Sequence, residues 1–154
     1  MKAAACAVLA PLLAVLVGCG SLDAAPSPLA GDLLSAPTTL NLSGQLLRID
    51  ASPRLSGAAL GVHVRLQSGT SLPRVTPTAV FMVTRNGVWT APLRLDPARR
   101  CSGCPCLQGQ ARGRGEGVRS GEPVQVVVRL KDARGRLLWL RDPQATVTDS
   151  RPAQ

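Results

Sequence analysis

From about residue 40 to residue 148 the chain alternates apolar and polar positions. Leu60, Val62, Val64 and Leu66 alternate with Gly61, His63, Arg65 and Gln67. A period of two puts these sets on opposite faces, which predicts a half-buried strand. Before it, Leu40, Leu42, Leu46 and Ile49 predict a weaker strand interrupted at Gly44. Residues 79–84 are almost continuously apolar and run into Asn86-Gly87, a dipeptide suited to the two positive φ angles of a tight hairpin. The return over 88–95 sets Trp89, Ala91, Leu93 and Leu95 on one face. Pro92, with no N–H to give a ladder, assigns this strand to a sheet edge.

A second hairpin follows. Val124, Val126, Val128 and Leu130 alternate with Gln125, Val127, Arg129 and Lys131, and the turn 132–135 sends the chain back through 136–141. With a four-residue loop, Trp139 falls opposite Val128 and Leu137 opposite Leu130. A last short strand, 145–148, follows Pro143. About seven short strands and no helix predict a single all-β domain, a β-sandwich. Strand order and spacing over 38–150 resemble the immunoglobulin and fibronectin type III domains of surface proteins. That resemblance implies an immunoglobulin-like sandwich with a binding or spacing role.

The residues ahead of the strands follow a different pattern. Lys2 precedes an apolar stretch, broken only by Pro11, that ends at the small residue Gly18. This is the layout of an export signal, and it is shorter than the roughly 20 residues a membrane-spanning helix needs. Leu16-Val17-Gly18-Cys19 resembles the lipobox of bacterial lipoproteins. The resemblance implies a signal over 1–18, cleavage before Cys19, a lipid on the Cys19 sulfur, and a membrane partner reached through that anchor. Gly20, where an Asp is absent, implies the outer membrane if the cell has one. Residues 19–38, with Pro26, Pro28 and Pro37, predict a flexible tether, leaving 39–150 as the domain.

The net charge is +9, or +8 once Lys2 leaves with the signal. Such a balance favours anionic surroundings, namely lipid headgroups, an envelope polymer or a protein partner. Nucleic acid is excluded as a partner, because the chain is exported, only 2% aromatic, and has no basic helix for a groove. The candidate contacts are Arg99, Arg100, Arg112, Arg114 and Arg119. All lie in the Cys-, Gly- and Arg-rich connection 97–122, which is expected to be a long loop.

The same connection holds Cys101, Cys104 and Cys106. Three outcomes stand open for them: a disulfide formed on export, a site for a soft metal such as Cu(I) or Zn, or thiol–disulfide exchange. Cys6 leaves with the signal and Cys19 takes the lipid, so an odd number remains. His63 is the only histidine and is expected to be a plain surface residue. There is no Gly-x-Ser-x-Gly elbow, and Asp96, Glu116, Glu122 and Asp132 fall at turns or in the loop. No enzyme class and no cofactor follow from these residues. The expectation is a non-enzymatic, lipid-anchored binding or structural domain of the cell envelope, with a thiol-based metal or redox protein as the alternative.

Overall fold

A computed structural model of the chain describes residues 28–99 and 101–150. The signal, the lipobox, the first part of the tether and Arg100 lie outside the described residues. Helix α1 (Ala30–Leu34) is followed by strands β1 (Leu40–Leu42), β2 (Gln45–Ser56), β3 (Ala59–Ser68), β4 (Val75–Thr84) and β5 (Gly87–Leu95). The chain continues through β6 (Cys106–Arg114), β7 (Pro123–Asp132), β8 (Leu137–Thr146) and β9 (Thr148–Asp149). Among the described residues the protein is all-β apart from α1.

Strand order is β1-β2-β3-β6-β5-β4-β7-β8, every neighbouring pair antiparallel, with β9 added parallel to β2. The sheet curls until its two ends meet, almost as a barrel: β8 packs against β2, and the backbone N–H of Ala51 donates to Asp142 Oδ2 at 2.9 Å across the seam. β5 makes the curl possible. Its first part pairs with β4 as far as Pro92, and from Leu93 it pairs with β6 instead. Pro92 therefore sits where the ladder changes partner, a place that can spare an N–H.

Inside the curl lies one core, made from the inward set of every long strand. Leu47, Leu60, Val62, Val80, Met82, Val126, Val128, Leu130 and Leu140 are essentially inaccessible to solvent. A second, smaller cluster sits on the outer face of β4, β7 and β8, where Ala79, Phe81, Val127 and Trp139 are covered by Leu33 and Ala36. The segment 28–38 is thus not the free tether that its prolines predict. Leu33 is only 2% exposed, and Arg141 fastens the chain by donating from its backbone N to Pro37 O at 2.8 Å and from Nε to Ala36 O at 3.0 Å. A five-residue helix cannot persist alone, so docking is what makes it.

Two turns correct the expected ones. Ser43 and Gly44, at φ 52 and 80, form the two-residue turn with both φ positive, and it joins β1 to β2. Between β4 and β5, Thr84 pairs with Gly87, so Arg85 and Asn86 occupy the turn and of Asn86 and Gly87 only Gly87 has positive φ, at 137. The Asn86 side chain is instead committed to Gly117 O, at 2.7 Å.

The β7–β8 hairpin is one residue out of the expected register: Trp139 pairs with Arg129, and Val128 with Leu140. A slip of one reverses the faces of a strand, which moves Trp139 out of the core and onto Phe81, ring centroids 5.3 Å apart.

The connection 97–122 is not a continuous loop either. β6 occupies its middle and pairs with β3 along its whole length, from Ala59 opposite Arg114 to Gln67 opposite Cys106. Its glycines mark crowding. A Cβ at Gly109 would lie 2.8 Å from Arg94 O, and one at Gly113 would lie 3.1 Å from the Trp89 ring.

Candidate anion-binding face

Once β6 is in the sheet, the outward positions of β2, β3, β6 and the end of β5 fall into rows. Arg48, Gln67 and Cys106 make one row, and Asp50, Arg65 and Gln108 the next. Ser52, His63, Gln110 and Arg94 follow, and after them Arg54, Gly61 and Arg112. The last row is Ser56, Ala59 and Arg114. Arg48, Arg54, Arg65, Arg94, Arg112 and Arg114 therefore share one outer face with a single carboxylate in these rows, Asp50.

Asp50 neutralises only its neighbour, accepting from Arg65 Nη2 at 3.0 Å. Arg114 lies 3.6 Å from Glu116, but both side chains are more than four-fifths exposed, so water screens the pair. Among the described residues, Arg48, Arg54, Arg94 and Arg112 make no ion pair.

Of the arginines named from sequence, the fold brings Arg112 and Arg114 together and separates the others. Arg99 lies in the β5–β6 connection, 3.3 Å from Asp96. Arg119 precedes β7, where its backbone N–H and that of Arg85 donate to the two oxygens of Glu122. Arg100 is outside the described residues. Sequence reading missed Arg48, Arg54, Arg65 and Arg94. They come from three strands, β2, β3 and β5, and only the register aligns them.

His63 stands in the middle of this face and is half-buried rather than freely exposed. Its Nε2 is buried and has no hydrogen-bond partner.

The cysteines lie beside one end of the face. Cys101 is bonded to Cys106, their Cα atoms 5.9 Å apart, while Cys104 is a free, half-buried thiol. Gln108 Nε2 donates to Cys101 Sγ at 3.2 Å. With Pro97, Arg99 and Leu107, these residues border a cleft of about 310 Å³. The disulfide ties up two of the three sulfurs. Among the described residues no group of His, Cys, Asp and Glu is arranged to hold a metal ion.

No protein family, curated protein or solved structure matches the chain.

Proposed function

We propose that the chain is a lipid-anchored protein of the cell envelope, in the outer membrane where one exists, whose domain acts by binding rather than by catalysis. Its partner is anionic, a polymer or a protein surface, and meets the arginine face of β2, β3, β6 and β5. The observation that carries this reading is the alignment of arginines from four strands on one face, of which Arg48, Arg54, Arg94 and Arg112 make no ion pair among the described residues. Keeping like charges together costs stability, and a counter-charged partner offsets that cost.

The curled sheet is read as an immunoglobulin-like sandwich. In this reading β4, β7 and β8 form one side, β2, β3 and β6 the other, and β5 crosses between them. The partner change at Pro92 supports it.

Two measurements test the proposal. Metabolic labelling with a radioactive fatty acid should mark the wild-type chain and not Cys19→Ala, and label retained in Cys19→Ala overturns the anchor. In-cell crosslinking should give an adduct that is lost in Arg48→Glu/Arg94→Glu, and an unchanged adduct overturns the binding face.

A further inference from the structure

Within the arginine face one groove differs from its surroundings. It measures about 420 Å³, and Ser52, Arg54, Gly61, Gln110, Arg112 and Ser150 border it. Among the described residues, no carboxylate lines it. Arg54 and Arg112 flank Gly61 in a single row across β2, β3 and β6. Neighbouring strands lie about 4.8 Å apart, so the two arginines stand roughly 10 Å from one another across a position with no side chain.

Neither conformation nor packing accounts for that glycine. Gly61 is not among the residues with positive φ, and a Cβ placed on it would meet only Gln110 Nε2, at 3.4 Å. A strand interior normally disfavours glycine. What the missing side chain does here is leave the floor of the groove open.

The groove is also lined with oriented donors. Arg112 Nη2 donates to Gln110 Oε1 at 2.8 Å, which fixes the amide so that its Nε2 is the end lying over Gly61. Among the described residues that Nε2 has no side-chain hydrogen-bond partner. Ser52 and Ser150 add hydroxyls from β2 and from the segment after β9. The donors come from β2, from β6 and from the segment after β9, on both sides of Gly61. A carboxylate, with two oxygens in one plane, would leave several unused, whereas a tetrahedral oxyanion carrying up to two charges matches two guanidinium groups and the surrounding donors.

We infer that this groove is a subsite for one phosphate group, held between Arg54 and Arg112 over Gly61, with the Gln110 amide donating to it. The inference rests on the arginine face being the binding surface and names the chemistry that surface reads. The phosphate can belong to a phosphodiester lipid headgroup or to a phosphomonoester on an envelope polymer.

The test is a titration of the processed, detergent-extracted protein with inorganic phosphate, followed by backbone amide NMR. Saturable shifts are expected at Gly61, Gln110 and Arg112. Gly61→Val, which fills the floor with a residue suited to a strand, should weaken binding tenfold or more, and so should Arg54→Gln/Arg112→Gln. Arg74→Gln/Arg134→Gln removes the same charge elsewhere and should leave binding unchanged. If Gly61→Val does not fold, the arginine pair decides.

Equal weakening in the control pair, or persistence in both groove variants, overturns the subsite. In that case loss of phosphate binding in Arg48→Glu/Arg94→Glu still upholds the wider face, and its absence overturns both readings. Titrated in the same way, tighter binding of the phosphodiester glycerophosphoglycerol than of inorganic phosphate supports the subsite with a headgroup source. The reverse supports it with a phosphomonoester source, and binding of neither overturns it.

Discussion

Trp139 faces outward because the loop before it is one residue longer than alternation alone suggests, and Asp132 sets that length. Asp132 Oδ1 accepts from the backbone N–H groups of Arg134 and Arg136, each at 2.9 Å, and Oδ2 accepts from Arg136 Nε at 2.7 Å. Desolvation pushes the Asp132 carboxyl up, but the Arg136 side chain together with the two backbone donors outweighs it. The carboxyl is held below its ordinary value of 3.8. A depressed carboxyl stabilises the fold above its unfolded pKa, and that contribution is lost as pH falls through the folded one. Asp132→Asn should therefore lower the thermal midpoint at neutral pH by something on the order of a few degrees. The gap from wild type should close as pH drops below 3.8. A gap that is the same at pH 7 and pH 2 contradicts this account of the turn. None of this was legible from alternation, since capping by Asp132 fixes where pairing starts without changing the apolar pattern.

At the scale of elements, the strands that were legible are those whose inward positions are large and apolar. β3 shows Leu60, Val62, Val64 and Leu66, and β7 shows Val124, Val126, Val128 and Leu130, so periodicity finds both. β6 escapes because its inward positions, Leu107, Gly109, Ala111 and Gly113, are mostly too small to register. They are small because β5 and Trp89 press on them. Misreading β6 as loop also hid the arginine face, since Arg112 and Arg114 acquire neighbours only once β6 lies beside β3. Gly109→Val should destabilise the domain by about 1–3 kcal/mol, the usual cost of overpacking, because its Cβ must displace the Arg94 carbonyl. Gly61→Val in the adjacent strand should be nearly neutral for folding. Chemical denaturation midpoints compare the two directly, and equal losses would show that the glycines of β6 are not there for close approach.

For the whole molecule, the docked N-terminal segment decides how much chain separates the domain from the anchor proposed at Cys19. With α1 in place, that separation is the chain between residues 19 and 29, whose full extension is at most about 35 Å. Released back to residue 39, the same connection reaches about 70 Å. The latch rests on Leu33, buried against the outer cluster, and on the Arg141 bonds to Ala36 and Pro37. Burying a leucine contributes about 1.5–3 kcal/mol, enough to keep a short arm docked while remaining a small part of a core this size. The outer cluster is separate from the interior one, so the two can fail independently. Leu33→Asp should therefore free the arm without unfolding the sheet. Proteolysis within 28–38 should quicken at least tenfold, while the near-ultraviolet circular dichroism of Trp89, which packs on the interior cluster, is retained. Trp139, uncovered by the arm, should become more accessible to a fluorescence quencher. Global unfolding in Leu33→Asp, or an arm as resistant to protease as in wild type, would show that the segment is not a separable latch.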